Sequence, residues 1–452
     1  MVSSGGVLMV AAALAAVAAT WLWAALARLV WRPYAVARAF ARQARAGVPA
    51  LLRQHQGDSE TLLFRVYVLH WSGKVYLWWF GPTPALCVGS YDMVKRILSD
   101  KVELYPKPSP PPGLLALMGM GLVFTQGDDW VRHRRVVSPA FAMDKLKMMT
   151  GAMVACAGEV IREWESRAAA NGGEVTVEVG KQFAELTADV ISHTAFGSSY
   201  RQGKEVFLAQ RELQFIAFTS FATTRFPGAQ YVPTKSNLRR WRLESKVRDT
   251  LVAIIDERMA TAKKEEAYGH DLLGLMLEAN ACGGEDGKSA MSMDEIIDDT
   301  ASGRKSSECG TGAITDDVLN KLKLVTMVVY ETLRLYGAVT RILRMTTADV
   351  DLCGVKVPKG TLLLIPIAML HRDEEIWGAD AGEFNPLRFR NGVGRAAAHP
   401  SALLAFAAGP RSCIGQDFAM LEVKATLALI LRRFAFDVAP EYVHAPTDID
   451  IN

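Results

Sequence analysis

The sequence has few cysteines, and their spacing argues against the usual cysteine-based scaffolds. None of the six forms a CxxC pair, so neither a disulfide framework nor a zinc ribbon is expected, and a reducing compartment fits the chain. The eight histidines form no HExxH or HxxxH pattern and provide no obvious zinc ligand set. The six cysteines are Cys87, Cys156, Cys282, Cys309, Cys353 and Cys413.

The sequence also lacks an excess of either charge. It carries 51 basic and 48 acidic side chains, a net charge of +3, whereas a nucleic-acid-binding protein would show a strong basic excess. It has no internal period of the kind that marks repeat proteins. With 452 residues, half of them hydrophobic, the chain is long enough for one large core or two domains. We therefore expect a globular protein with no nucleic-acid partner.

The amino-terminal segment is a long stretch without charge. Residues 7–27 carry no charged side chain, which is long enough for a helix to cross a bilayer. Aromatic residues gather at its end and arginines follow it, so the positive-inside rule places the rest of the chain in the cytosol. We predict a single-pass membrane anchor over residues 1–30, and the alternative is a cleaved signal peptide. The flanking residues are Trp21, Trp23, Trp31, Arg28, Arg32, Arg38, Arg42 and Arg45.

The remaining sequence predicts a mainly α protein with a small β part. A linker is expected over residues 31–70 and one domain over residues 71–452. Hydrophobic periodicity distinguishes the helices from the strands, and glycine and proline mark the breaks between them. The predicted elements are a β-hairpin at 71–88, a stiff Pro-rich surface loop at 106–112, helices over about 128–281 and 316–335, strands within 350–365, and a helix over about 414–434.

One motif carries specific chemistry. Phe406-Ala-Ala-Gly409-Pro-Arg411-Ser-Cys413-Ile-Gly415 fits F-x-x-G-x-R-x-C-x-G just before the last predicted helix. A cysteine thiolate can bind haem iron and favour O–O cleavage, and a helix amino terminus stabilises the thiolate. The glycines allow a tight turn and close approach to the ring, Arg411 can pair with a propionate, and Phe406 can pack on the macrocycle. The motif predicts Cys413 as the axial ligand of haem iron; the alternative is an inert buried cysteine.

This motif resembles the cytochrome P-450 superfamily, and two further segments carry the resemblance. Glu331-Thr-Leu-Arg334 resembles the family's E-x-x-R, whose spacing places both side chains on one helical face. Phe384-Asn-Pro-Leu-Arg388-Phe389 resembles the later loop whose arginine joins that pair. The resemblance covers most of the chain and implies the cytochrome P-450 fold, a haem b cofactor, and a structural role for Glu331, Arg334 and Arg388.

Three further residues are assigned to haem by the resemblance alone. Asp128-Asp-Trp130-Val-Arg-His-Arg134-Arg135 is similar to the family's W-x-x-x-R helix, which implies that Trp130 and Arg134 bond a haem propionate. Arg344 resembles a further propionate-binding arginine. Without the resemblance, the residues around Trp130 would be interpreted as an ordinary solvated basic face.

Several segments, such as Arg132-His-Arg-Arg-Val-Val-Ser-Pro-Ala-Phe141, are similar to plant microsomal members of the family. Such enzymes insert one oxygen atom into a C–H bond of a fatty acid, isoprenoid or hormone-like molecule. They take electrons from NADPH through a membrane-bound flavoprotein reductase. The resemblance therefore implies a lipophilic substrate, a reductase partner, and an endoplasmic reticulum membrane location with the catalytic domain in the cytosol.

The sequence departs from the family where proton delivery to oxygen is expected. Residues 293–298 resemble the start of the family's long central helix, but the acid and alcohol motif is absent and residues 299–312 are polar and Gly-rich. No catalytic residue is assignable, and Thr300 is not given the role. The Pro-rich hinge and a carboxy-terminal β-hairpin are also missing. The alternatives are a working monooxygenase, a catalytically impaired haem-binding relic or splice or gene-model variant lacking residues near 299–315, and a membrane scaffold without haem.

Overall fold

The structure is a computed structural model of the 452-residue chain. The predicted anchor and the polar segment after residue 299 lie outside the described residues, apart from isolated positions. Within the described part of the chain, no helix is both long and apolar enough to cross a bilayer. The described residues are 51–53, 68–72, 74–80, 83–99, 103–197, 200–219, 229–265, 268–269, 271–282, 291–292, 294–297, 299 and 322–442, with positions 19, 20, 23, 27, 35 and 38.

Helices make up most of the described chain, as the sequence predicts. Helix α3 shows why they form where they do: acidic residues occupy its first turn and basic residues its last, which complements the helix dipole. The helices are α1 (Tyr91–Ser99), α2 (Pro112–Met118), α3 (Gly127–Val137), α4 (Met143–Ala170), α5 (Val179–Phe196), α6 (Tyr200–Thr219), α7 (Lys235–Glu265), α8 (Leu272–Cys282), α9 (Lys323–Tyr336), α10 (Ile367–Leu370), α11 (Glu374–Trp377) and α12 (Gln416–Leu431).

The β part consists of a six-stranded sheet and a separate two-stranded hairpin. The sheet has the order β1-β2-β3-β4-β8-β5, and β6 pairs with β7. All pairs are antiparallel except β4 with β8, where residues 85–87 lie beside residues 362–364. This parallel pair joins the amino-terminal strands to the part of the chain that precedes the cysteine motif. The strands are β1 (Leu51–Arg53), β2 (Val68–Ser72), β3 (Val75–Phe80), β4 (Thr83–Val88), β5 (Ile342–Met345), β6 (Val350–Leu352), β7 (Val355–Val357) and β8 (Leu362–Ile365).

The sheet begins earlier than the sequence predicts. Strand β1 and most of β2 fall within residues 31–70, which were expected to form a linker, yet Leu51 to Arg53 pair with His70 to Val68 in an antiparallel ladder. Three residues are too few to show the alternating pattern by which a strand is recognised in sequence. Strand pairing therefore begins before residue 71, and the division into a linker and a domain stays a prediction.

The two largest of the four hydrophobic clusters among the described residues are built from different parts of the chain. One packs α1 and the residues before α12 against the inner face of the sheet, with Leu77, Leu86 and Leu363 fully buried. The other is made by the long helices, with Leu213 and Leu251 at its centre. Burying apolar area of this kind stabilises the fold by about 25 cal/mol per Å². The site described next is held between elements of both cores.

Candidate functional site

Cys413 lies at the end of a tight loop that leads into α12. The amide of Cys413 donates to the carbonyl of Phe406 (2.9 Å), and the amide of Ser412 donates to the carbonyl of Gly409 (3.0 Å). Gly415 is the N-cap residue of α12, so the sulfur lies close to the positive end of the helix dipole. Cys413 is half-buried and is not in a disulfide. The loop therefore presents a free thiol from a fixed backbone frame.

Gly409 is the position in this loop that only glycine fills without strain. Its φ is +75°, and a Cβ atom there would lie 2.1 Å from the carbonyl oxygen of Leu98 in α1. Gly415 differs, because its φ of −87° is open to any residue. The backbone therefore requires glycine at Gly409, whereas Gly415 caps the helix with an ordinary conformation and its close approach to the haem ring stays a prediction.

Helix α3 brings two further residues to the loop. Trp130 and Arg134 are four residues apart and share one helical face. Nη1 of Arg134 donates to the carbonyl of Ser412 at 3.0 Å. The guanidinium carbon of Arg411 lies 4.6 Å from the centroid of the Trp130 ring, within cation–π range. Burial lowers the pKa of Arg134, and Cys413 acts in the opposite direction, so the helix places a cation within electrostatic reach of the sulfur.

Three desolvated cations from separate chain segments lie beside the loop. Burial lowers the pKa of Arg344 and of Arg411 to about 10. Burial also lowers the pKa of Lys107 to about 7, with repulsion from both arginines adding to the effect. The charged forms of these three side chains are therefore destabilised while no anion lies among them. Their backbone acceptors are the carbonyls of Val123 for Lys107 (2.7 Å), Leu343 for Arg344 (2.8 Å) and Thr125 for Arg411 (2.8 Å).

This arrangement fits an anionic iron macrocycle. In the described part of the chain, no ion pair joins Lys107, Arg344 or Arg411 to a carboxylate. Nε and Nη2 of Arg411 are buried without a hydrogen-bond partner among the described residues. A buried cation needs an opposite charge to be stable, and haem supplies two propionates and an iron that a cysteine thiolate can ligate. The cations around Cys413 therefore match the haem propionates, and its thiol matches the haem iron.

The predicted structural residues form a second ionic cluster, behind the loop. Nε and Nη2 of Arg334 donate to the two carboxylate oxygens of Glu331, both at 2.8 Å, and both side chains are fully buried. Nε of Arg388 lies 3.7 Å from the same carboxylate. Arg334 also donates to the backbone carbonyls of His371, Ala381 and Glu383. The structure brings Glu331, Arg334 and Arg388 together, and each guanidinium has a carboxylate within 4 Å, although Nε of Arg388 makes no hydrogen bond among the described residues.

A third polar group joins α3 to the segment before residue 300. Nδ1 of His133 lies 2.8 Å from a carboxylate oxygen of Asp299, and Nε2 lies 3.3 Å from Glu295. Burial alone would lower the pKa of His133, but the two carboxylates outweigh it and raise the pKa. Residues 294–297 are helical, in keeping with the predicted helix start. The predicted gap after residue 299 falls outside the described residues.

Sequence reasoning missed Lys107. The prolines around it predict a surface loop, whereas Lys107 is half-buried and extends toward the carbonyl of Val123. Proline spacing reports backbone stiffness and says nothing about the direction of the one charged side chain between two prolines. The other predicted haem residues, Arg411, Trp130, Arg134 and Arg344, lie around the Cys413 loop, and Phe406 contributes its carbonyl. Their contacts with haem stay predictions.

Comparison with known proteins agrees with this geometry. A family profile described as "Cytochrome P-450" matches residues 48–302 and 297–450 in two stretches. Cytochrome P-450 709B3 of Arabidopsis thaliana is 41% identical over 408 positions, covering 83% of this chain and 78% of the relative. Cytochrome P-450 734A1 of the same plant is 36% identical over 469 positions, covering 93% and 90%. In both cases the alignment is longer than the part of this chain that it covers, so each relative has internal residues that this chain lacks. The chain belongs to the cytochrome P-450 family of haem-thiolate monooxygenases.

Proposed function

We propose that the chain is a membrane-anchored monooxygenase that inserts one oxygen atom from O2 into a C–H bond of a lipophilic small molecule. The substrate is a fatty acid, isoprenoid or hormone-like compound, and NADPH supplies electrons through a flavoprotein reductase. The observation that carries the proposal is the convergence of desolvated cations on the loop of Cys413. The similarity to plant relatives supports the substrate class, and the uncharged residues 7–27 support a single-pass anchor in the endoplasmic reticulum.

Several residues of the chain have separate roles in the binding of haem b. Cys413 would ligate the haem iron. The hydrogen bonds from its amide to the Phe406 carbonyl and from Arg134 to the Ser412 carbonyl fix the loop around it. Arg344 and Arg411 pair with the propionates, and Trp130 stacks on the Arg411 guanidinium. The bound haem supplies the activation of O2, which a thiolate ligand favours. Proton delivery has no assigned residue in this chain.

A second candidate function is a haem-binding form with impaired turnover. It is favoured by the division of the family match into two stretches that meet at residues 297–302 and by the internal residues that the relatives have in excess. Residues 300–312 contain no apolar period, and an apolar wall on the oxygen side is needed to exclude water. Loss of that wall reduces haem retention and coupled oxygen use.

The test compares the chain with a chimera in which residues 299–312 are replaced by the full corresponding segment of cytochrome P-450 709B3. Both are expressed with haem supplied and measured for haem-to-protein ratio, thermal midpoint and product from a lipophilic panel with NADPH and reductase. We expect product from both proteins, with higher haem content and higher stability in the chimera. Product from the chimera alone would favour the haem-binding form with impaired turnover. Equal stability and haem content with coupled turnover by the native chain would show that the missing segment is harmless. No product from either protein would contradict the proposed monooxygenase.

A further inference from the structure

The backbone of Lys107 is held between two elements of the haem site. The amide of Met345, at the end of β5, donates to the carbonyl of Pro106 at 2.8 Å. On the other side, Nε2 of Gln126 donates to the carbonyl of Lys107 at 2.9 Å. Lys107 is therefore fixed between the strand that carries Arg344 and the loop whose Thr125 carbonyl accepts from Arg411.

The side chain of Lys107 points into the same cluster. Its ammonium donates to the carbonyl of Val123 at 2.7 Å. An ammonium has three donors, and this is its one hydrogen bond in the described part of the chain. Arg344 and Arg411 lie close enough to repel it and to lower its pKa. A lysine held this way has donors and charge available for an anion.

Lys74 differs from Lys107, because its ammonium pairs with carboxylates of the chain itself. Its ammonium contacts the carboxylates of Asp373 and Glu375, the latter at 2.7 Å. Lys107 has no such carboxylate among the described residues and stands instead between two arginines. Three cations gathered without an anion destabilise the empty protein. Such a cluster is stable once an anion with more than one charge enters it.

We infer that Lys107 is a third cationic ligand of the haem propionates, acting with Arg344 and Arg411. The inference rests on the proposed function, because it requires haem at Cys413. Lys107 belongs to none of the motifs that resemble the family, so it extends the site beyond the residues that sequence assigns. Its role is to hold the propionate edge of the cofactor and slow its escape.

The experiment measures haem loss to excess apomyoglobin from the native chain, Lys107→Met and Lys107→Arg. Lys359→Met is the matched control, because Lys359 is exposed in the turn before β8. We expect Lys107→Met to lose haem about tenfold faster, the order expected for one charge-assisted hydrogen bond. Lys107→Arg and Lys359→Met should stay close to the native rate. The spectrum of each loaded protein should keep its thiolate type.

Two further measurements separate a propionate contact from a packing role. With haem dimethyl ester, which has no propionate charge, native chain and Lys107→Met should lose the cofactor at the same rate. The apoprotein of Lys107→Met should melt at or above the native temperature, since a desolvated cation has been removed. Equal loss of free-acid haem, a difference that persists with the ester, or a lower apoprotein midpoint each overturns the inference. A native chain without a thiolate spectrum overturns the proposed function as well, whereas a normal spectrum with unchanged loss overturns the inference alone.

Discussion

Two charged clusters in the described part of the chain are built on opposite principles. In the Glu331–Arg334–Arg388 cluster, each buried guanidinium has a carboxylate within 4 Å, and backbone carbonyls take further donors. In the Lys107–Arg344–Arg411 cluster, the cations have only backbone carbonyls as partners among the described residues. The first cluster is complete within the chain, whereas the second requires an anion from outside.

The presence or absence of a carboxylate partner distinguishes charged residues that stabilise the fold from charged residues that bind a ligand. Removing one member of a complete buried pair leaves an uncompensated charge and destabilises the fold, whereas removing one member of an unpaired cluster relieves repulsion. Stability and ligand retention should therefore respond in opposite ways at the two places. The following predictions use that contrast.

The largest effect is expected at Arg334. Arg334→Ala leaves the Glu331 carboxylate buried with its bidentate partner gone, which should lower the free energy of unfolding by about 3–5 kcal/mol. Chemical denaturation of the apoprotein measures it. Arg167→Ala is the control, because its ion pair with Glu163 is exposed on α4 and should contribute little. A similar small loss for both variants would break the distinction between the clusters.

Acid should weaken the complete cluster through His371. Nδ1 of His371 lies 2.9 Å from the carbonyl of Arg334, and the amide of Leu404 donates to Nε2, so the ring is neutral with its proton on Nδ1. Burial lowers the pKa of His371 to about 4 from 6.5. Its contribution is therefore present above pH 6.5 and is lost as the pH falls through about 4, by about 1–3 kcal/mol.

The measurement is urea denaturation of the native chain and His371→Gln at steps between pH 7 and pH 4. The variant should be less stable at pH 7 and should show a shallower loss of stability over this window, because the titrating ring is gone. The carboxylates that titrate near pH 4 are common to both proteins. Parallel curves would show that His371 does not govern the acid response.

A comparison of two glycine variants tests how the Cys413 loop is placed. Gly409→Ala combines a positive φ with a clash against the Leu98 carbonyl, whereas Gly392→Ala has a positive φ of 88° and open space. We expect about 1–3 kcal/mol of backbone strain in both variants. Only Gly409→Ala should also displace the Cys413 loop and lower the haem-to-protein ratio. Equal haem content in the two variants would mean that the close approach to α1 is not needed to place the cysteine.

The sequence predicts the mainly helical fold and the placement of Glu331 beside Arg334, because local spacing determines both. The spacing of Glu331 and Arg334 places them together on α9, and the spacing of Trp130 and Arg134 does the same on α3. The match of α12 to residues 416–431 follows from the same periodicity. These parts need no knowledge of distant contacts.

The rest of the site depends on contacts between distant segments. Lys107 reaches the cysteine loop only because Met345 pairs with Pro106 and the loop at 123–126 folds over it, and no local pattern reports that. Strand β1 was not predicted for a related reason, since it is defined by its ladder with β2. Gly415 belongs to the same motif as Gly409, yet it has an ordinary φ of −87°. A sequence motif shows which residue occupies a position, but it does not show the backbone conformation of that residue.

The central claim is that Cys413 ligates haem iron within the unpaired cation cluster. The most direct test is the reduced carbon monoxide difference spectrum of the native chain and of Cys413→Ser, both expressed with haem supplied. The account predicts a thiolate-type spectrum for the native chain and its loss in Cys413→Ser, with the apoprotein fold unchanged by circular dichroism. The same thiolate-type spectrum from Cys413→Ser would contradict the account, because another residue would then be the ligand.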